Sequence, residues 1–304
     1  MCRPYAKDVF RQPATRIEMR QVESREQLRA VVRNWRQGGL KIALVPTMGN
    51  LHEGHLSLVR AATQSGMRTV VSIFVNPMQF GVNEDLDTYP RTLDRDMACL
   101  AEYPIDMVFV PTVGEIYPEG VQQATTVHVS RLSDMLEGES RPGFFTGVAT
   151  VVNTLFNIIQ PDAAWFGEKD YQQLLVIRKM VRDLRLPIEI HAMPTVREGD
   201  GLAMSSRNSY LDARQRKLAR HLYRCLQHVV DQANEGMDHH YAVVHANQEL
   251  TEAGFFTDYV VVRRQGDLEV PTSQDKSLIV LAAARLGDIR LIDNIPFELM
   301  QKPE

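Results

Sequence analysis

The sequence predicts an α/β protein: a parallel sheet flanked by helices over most of the chain, followed by a smaller C-terminal α+β unit. Two observations carry this. Between Lys41 and Met193, short apolar runs bounded by glycine, proline or polar residues alternate with amphipathic stretches of about ten residues, the pattern of buried parallel strands joined by right-handed crossovers. Beyond about residue 194 the rhythm changes to two helical stretches and then three strand-like runs. The expected organisation is an N-terminal extension over 1–18, a parallel-sheet domain over 19–194 and a smaller domain over 195–304.

Residues 1–18 contain no apolar core of the kind a secretory signal needs, and they read as a flexible tail. Ser24 and Gln27 have capping-box spacing, and Leu28, Val31, Val32 and Trp35 follow helical periodicity until Gly38 and Gly39. Lys41–Pro46 reads as a buried strand, Leu56–Gln64 as a helix and Thr69–Asn76 as a strand. A helix over Leu93–Tyr103 leads to a strand at Met107–Pro111, and Thr126–Ser130 alternates like a further strand. Gly147–Gln160 reads as a buried helix, Asp170–Leu184 as an amphipathic one and Leu186–Met193 as the last strand of this domain. Helices over 212–235 and 241–253 then precede strands in DYVVVRR, SLIVLAAA and IRLIDNI.

Bulk composition excludes several classes. At 304 residues, 44% apolar and 24% charged, the chain is ordinary for a soluble globular enzyme. A net charge of −4 supplies no basic field for a nucleic acid backbone. No apolar run reaches the roughly 18–20 residues that span a bilayer. The three scattered cysteines fit reduced thiols of a cytoplasmic protein better than a disulfide framework or zinc cluster.

The most informative segment is PTMGNLHEGHLSLV (Pro46–Val59), which leaves the first long strand, turns at Gly49 and enters a helix. In open α/β sheets ligands bind at this place, and helix-start N–H groups favour phosphate. His52 and His55 share a helical face, and Gly54 between them leaves room for a nucleotide. No dinucleotide fingerprint, P-loop or H-E-x-x-H spacing is present. Spacing alone also admits solvent-facing histidines.

His-x-Gly-His after the first strand resembles the nucleotidylyltransferase superfamily, whose fold is Rossmann-like and which includes class I aminoacyl-tRNA synthetases. The longer string is similar to the pantothenate synthetase family. The likeness continues in FVNPMQFGVNEDLDTYPRTLDRD (Phe74–Asp96), in the block from Arg141 to Leu184 and in PTVREGDGLAMSSRNSYL (Pro194–Leu211). The resemblance implies ATP-dependent joining of (R)-pantoate and β-alanine through an acyl-adenylate, with Mg²⁺ accompanying ATP and the protein acting as a homodimer. It implies that Met48, Gly49, Asn50, Leu51, His52, Glu53, Gly54 and His55 contact ATP, as do Gly167, Glu168, Lys169, Asp170, Val196, Met204, Ser205, Ser206 and Arg207.

His52, His55, Lys169 and Arg207 are the catalytic set that this implies, Gln79 and Gln173 the pantoate contacts, and Asp170 a contact for Mg²⁺. Met204–Arg207 resembles a mobile triphosphate-closing loop, for which Gly199 and Gly201 would supply hinge freedom. Without the resemblance, Gln79 reads as a surface residue, the Lys169–Asp170 pair as helix capping and AMSSRNS as a polar loop. Phe144 stands where the family commonly has histidine, so the polar contact made there is in question. The acidic run 83–87 is assigned no role. The rival readings are a transferase that stops at a nucleotide conjugate, a non-catalytic nucleotide-binding module and a tRNA synthetase.

Overall fold

The computed structural model describes residues 19–300 apart from 82, 83 and 85, so the extension expected over 1–18 lies outside the described residues. The chain opens on a short strand, β1 (Arg20–Val22), that sequence reading missed, because three residues are too few to show alternation. Helix α1 (Arg25–Gln37) starts where expected, with the Ser24 hydroxyl accepting the Gln27 N–H at 3.2 Å. There follow β2 (Ile42–Thr47), α2 (Glu53–Gln64), β3 (Arg68–Ile73), α3 (Leu93–Leu100), β4 (Met107–Phe109), α4 (Val113–Ile116), α5 (Glu137–Ser140) and α6 (Phe144–Ile159). β5 (Ala163–Gly167), α7 (Tyr171–Asp183) and β6 (Glu189–Met193) complete the first sheet.

This sheet has six strands in the order β1-β4-β3-β2-β5-β6, and every pairing is parallel. From β2 the chain moves outward to β3 and β4 on one side, then returns to place β5 and β6 on the other. The order therefore reverses between β2 and β5, and a crevice opens at their carboxyl ends. Ile42, Ala43, Leu44 and Val45 are fully buried. Ile42 and Leu44 join the core under α6 and α7, while Ala43 and Val45 join the one under α2 and α3. Burial on both faces explains the unbroken apolar run.

Helix α6 can pack closely on the turn after β3 only because residue 147 is glycine. A Cβ there would stand 2.4 Å from the Met78 carbonyl oxygen. The strand expected at Thr126–Ser130 is absent. The Val127 N–H donates to Thr150 Oγ1 at 2.9 Å, so this segment is extended against α6 rather than paired to a sheet edge. Its alternation reflects one face on a helix.

Three helices follow, α8 (Ala213–Ala219), α9 (His221–Asn234) and α10 (His239–Glu252), so the single helix expected over 212–235 is interrupted at Arg220. Strands β7 (Phe256–Arg264), β8 (Ser277–Leu286) and β9 (Ile289–Glu298) form an antiparallel sheet in sequential order. Alternation divides its faces. Leu278, Val280 and Ala282 pack with α9 and α10, whereas Ile279 and Leu281 join the core of the parallel-sheet unit. The small sheet thus forms a wall against the larger one.

That wall is fastened by polar groups at β9. Asp293 is buried and takes both ends of the Arg197 guanidinium, at 2.6 and 2.9 Å. Burial pushes the Asp293 pKa up, and the Arg197 fork works against it. Asn294 donates its side-chain amide to the carbonyls of Glu168 and Lys169, both at 2.9 Å. Removing one partner of a pair held this way leaves the other charge uncompensated. Asp293→Ala is therefore expected to lower the urea-unfolding free energy by about 3 kcal/mol, while Glu249→Ala, at an exposed pair with His228, shifts it by less than about 1 kcal/mol.

Candidate active site

The turn after β2 is built before any ligand arrives. Thr47 Oγ1 donates to the Ser72 carbonyl and accepts the Gly49 N–H at 3.2 Å. Gly49 (φ +80) and Asn50 (φ +49) then reverse the chain. The buried Asp96 carboxylate accepts the N–H groups of Asn50 and Leu51 at 2.9 and 2.8 Å. Helix α2 begins with His52 as N-cap: His52 Nδ1 accepts the Gly54 N–H at 3.1 Å, and His55 Nδ1 accepts the His52 N–H at 3.4 Å. The amides of residues 49, 50, 51, 52 and 54 are thus all engaged within the protein. Of the helix-start amides expected to favour phosphate, that of Gly54 is taken by the His52 ring.

The imidazoles are donors as well. With Nδ1 accepting a backbone hydrogen bond, each neutral ring carries its proton on Nε2. The two rings lie 4.1 Å apart between centroids, and both line the same cavity. Burial, then the neighbouring His55 and Lys169, lowers the His52 pKa to about 3, and burial followed by Lys169 lowers that of His55 to about 4. Both rings are neutral N–H donors near pH 7. Gly54 serves this arrangement directly: a Cβ at residue 54 would lie 2.8 Å from His52 Cε1. Glycine here makes room for the histidine ring rather than only for a nucleotide.

Across the switch point, β5 runs into a short turn at Glu168–Asp170 before α7. Lys169 Nζ lies 3.6 Å from Asp170 Oδ1, and Asp170 makes no side-chain capping bond, so the capping alternative for that residue does not hold. Among the described residues no group of three or more His, Cys, Asp or Glu could hold a metal. Asp170 is a single half-exposed carboxylate beside Lys169, and Mg²⁺ carried by a nucleotide takes few protein ligands.

The third side is the loop from Val196 to Arg207. Its base is fixed: Arg197 pairs across to Ala203, and the Met204 N–H donates to the Val196 carbonyl at 2.9 Å. Gly201 (φ +94) is also required by packing, since a Cβ there would meet the Tyr223 ring at 2.5 Å, whereas Gly199 has open space around it. At the tip, Ser206 Oγ donates to the Asn50 carbonyl at 3.3 Å, Ser205 Oγ accepts the Arg207 N–H and Asn208 Nδ2 donates to the Ala203 carbonyl at 3.0 Å.

Gln79 is buried, not on the surface. It accepts from Asn76 Nδ2 at 3.1 Å and approaches Met48 Sδ with Nε2 at 2.8 Å, while Asn76 is itself fixed by Tyr117 Oη at 2.7 Å. Gln173 lines the cavity with it. Gln172 also borders the space, but it spends its amide on the carbonyls of Leu132 and Met135, both at 2.8 Å.

These parts surround one cavity of about 510 Å³. Met48, His52, Gly54, His55, Gln79, Gly167, Lys169, Asp170, Gln173, Val196, Met204, Ser205, Ser206 and Arg207 line it. Gly49, Asn50, Leu51, Glu53 and Glu168 do not. The first three turn toward Asp96, Glu53 pairs with Arg60 at 2.7 Å, and the Glu168 carbonyl takes Asn294. Sequence reading assigned no role to Asp96, Asn294 or Glu84. Asp96 closes a segment that carried the resemblance, and this was the signal available for it.

A cavity at this place in an open parallel sheet, ringed by neutral and cationic donors, belongs to α/β proteins that bind nucleotides or similar anions. Comparison with known proteins narrows the class. Residues 20–296 match the model for pantoate-beta-alanine ligase, and the chain belongs to that family. It is 52% identical over 271 residues to the pantothenate synthetase of Shewanella loihica, covering 89% of this chain and 96% of that one. With the enzyme of Pseudomonas putida it shares 53% over 285 residues, covering 93% and 99%. The crystal structure of pantothenate synthetase from Thermus thermophilus superposes with a TM-score of 0.84 at 45% identity, over 91% of this chain and 99% of that one. A Francisella tularensis pantoate-beta-alanine ligase complexed with beta-gamma ATP and β-alanine gives 0.76 at 32%, over 92% and 98%.

Two outcomes follow from the histidine geometry. Between the lowered pKa values and the ordinary 6.5, the unfolded chain binds protons that the folded one does not. Stability from these sites is full above about pH 6.5 and falls as pH drops toward about 4. Urea midpoints at about pH 7 and pH 4.5 are expected to differ less in His55→Asn than in the parent protein; an equal or larger difference would remove the buried neutral ring. Gly54→Ala, which displaces the His52 ring, is expected to slow formation of an ATP-derived adenylate by about 10²-fold with little change in melting temperature.

Proposed function

We propose that this protein condenses (R)-pantoate with β-alanine, consuming ATP and releasing AMP and pyrophosphate, through a bound pantoyl-adenylate. The observation that carries this reading is the meeting of His52, His55 and Lys169 with Gln79, Gln173 and the Ser205–Arg207 loop around one cavity at the switch point. It is supported by family membership and by the ATP and β-alanine bound to the Francisella relative. A carboxylate is a poor acylating agent. Attack of the pantoate carboxylate on the α-phosphorus forms a mixed anhydride and expels pyrophosphate, after which the β-alanine amine attacks the acyl carbon and AMP leaves.

The chain's own contribution to the first step is positioning and charge stabilisation. The Nε2–H groups of His52 and His55 donate to phosphate oxygens as charge develops, and Lys169 and Arg207 neutralise it. Gln79 and Gln173 orient pantoate. Ser205 and Ser206 close over the nucleotide, with Val196 and Met204 beside the adenine, and exclusion of water protects the adenylate. Asp170 would hold Mg²⁺ with the ATP phosphates, and the ion would supply further charge neutralisation. Gly49, Asn50, Leu51, Glu53 and Glu168 act through the frame they build.

We extend the reading to a homodimer in the cytoplasm, and to two domains over 19–194 and 195–304, supported for the latter by the separate apolar core under α9 and α10. No described helix is long and apolar enough to cross a membrane.

The test is exchange of labelled pyrophosphate into ATP. Exchange is expected with pantoate in the absence of β-alanine, and a stable nucleotide conjugate or no exchange from active protein would reject the reading. His52→Ala and His55→Ala are each expected to reduce exchange by about 10²–10³-fold.

A further inference from the structure

Lys169 is placed from outside its own turn. The Glu168–Asp170 turn has no side-chain cap at Gly167, and Asp170 makes no capping bond to α7. Nothing packs within 4 Å of where a Cβ would stand at Gly167. The carbonyls of Glu168 and Lys169 are instead both bonded by the Asn294 side-chain amide, at 2.9 Å each, from β9 of the C-terminal sheet. Just beyond the turn, Tyr171 Oη donates to the Gln265 carbonyl at 3.1 Å, a second tie that reaches the end of β7.

Asn294 is itself held on its other side. Its backbone N–H donates to Asp293 Oδ1 at 2.7 Å and its carbonyl accepts from Arg197 Nη2 at 3.2 Å, while the Arg197 fork grips Asp293. Asn294 is only 3% exposed. Carbonyls are acceptors alone, so the amide can meet two of them only with its nitrogen, and the direction of the side chain is fixed. That direction leaves Asn294 Oδ1 buried without a hydrogen-bond partner among the described residues. A buried acceptor left unpaired opposes folding and offsets the stability that the two donated bonds supply. A side chain kept on these terms is better explained by what it holds in place than by the stability it adds.

What it holds is the root of the residue that carries the ammonium. The two carbonyls lie on either side of the Lys169 α-carbon, so bonds to both fix the direction in which the side chain sets out toward the cavity it lines. The lysine stem is long and flexible, and an error at its root is carried to Nζ. Stabilisation of charge as it develops requires donors already in place. The link to Arg197 has a second consequence. The same buried cluster forms the base of the Val196–Arg207 loop, so the lysine and the loop base are set in one frame.

We propose that Asn294 is a positioning residue for the adenylation step: through the Glu168 and Lys169 carbonyls, β9 sets the place at which the Lys169 ammonium meets developing phosphate charge. This deepens the reaction proposed above and rests on the role given there to Lys169.

The experiment follows pantoate-dependent exchange of labelled pyrophosphate into ATP, with full-length protein and Mg²⁺, in a double-mutant cycle of Asn294→Ala and Lys169→Met. Asn294→Ala alone is expected to lower kcat for exchange by about 10-fold, within the roughly 10²-fold that a misplacement of about 1 Å can cost. KM for ATP and for pantoate are each expected to stay within about 3-fold, the signature of an interaction made in the transition state. Melting temperature is expected to change little. In the Lys169→Met protein the same Asn294→Ala change is expected to alter exchange by less than about 2-fold, because no ammonium remains to be misplaced. A residue that only knits the two sheets together would give losses that multiply.

Multiplying losses would therefore overturn the proposal, as would an Asn294→Ala protein that keeps the parent's kcat or loses activity through KM alone. If Asn294→Ala fails to fold, Asn294→Ser decides by the same cycle; if Lys169→Met falls below detection, the division between kcat and KM in the single variant decides. Absence of pantoate-dependent exchange in the parent protein would overturn the reaction itself, whereas exchange in the parent with multiplying losses overturns only the positioning role.

Discussion

The buried carboxylate of Asp96, accepting the Asn50 and Leu51 N–H groups at 2.9 and 2.8 Å, sets the geometry on which the site depends. The chain must leave β2, reverse within two residues of positive φ and offer the His52 carbonyl to the Leu56 N–H to start a helix. Amides buried in such a reversal are costly unless bonded, and the β2–α2 connection has too few groups of its own to satisfy them all. A side chain from α3 does so. It ties the crossover after β3 to the turn after β2, and it has a chemical consequence. The amides of residues 49 to 52 and 54 are already engaged, so in the function proposed above the triphosphate is met largely by side chains, the two imidazoles among them.

Neutral imidazoles suit that work because of what stands beside them. Burial and Lys169 both oppose protonation, and each ring's Nδ1 is occupied by a backbone N–H. The cavity wall therefore does not accumulate mutually repelling cations. In the function proposed above, Lys169 faces the negative charge of a triphosphate, and two preset N–H donors need no reorganisation as charge shifts. The C-terminal sheet supports this remotely. Asn294 holds the backbone carbonyls of Glu168 and Lys169, on either side of the lysine's α-carbon, so β9 helps to place the lysine.

Much of this was legible in the sequence, and the remainder divides along a physical line. Periodicity located β2, α2, α6, α7 and the three C-terminal strands, because burial of a face imposes spacing on consecutive residues. The histidines, Lys169 and the Ser205–Arg207 loop were legible through motif resemblance. What escaped was contact between residues distant in sequence. Asp96 lies some 45 residues from the amides it binds, and Asp293 lies 96 from Arg197. Neither spacing leaves a local trace. The false strand at Thr126–Ser130 fails for a related reason: alternation records that one face is buried, and α6 can bury it as well as a sheet neighbour can. Gly54 was read as room for a nucleotide and Gly201 as hinge freedom, and each is also required by a neighbouring ring, His52 and Tyr223.

The loop from Val196 to Arg207 joins these themes. A closing element needs a firm base and a tip that leaves at little cost. Arg197 supplies the base: it forks onto buried Asp293, bonds the Gly201 and Asn294 carbonyls and lies 3.7 Å over the Tyr223 ring. Leu202 and Ala203 are buried beneath it. The tip, by contrast, touches the β2 turn through a long hydroxyl bond from Ser206 to Asn50. That bond is weak enough to exchange for a phosphate oxygen, yet it lands on the residue whose amide Asp96 holds. The loop's resting place is thus specified by the same turn that starts the histidine helix. In the function proposed above, where the tip closes over the nucleotide, the hairpin base, the histidine pair and the Lys169 turn are each held by bonds of their own and stay in register.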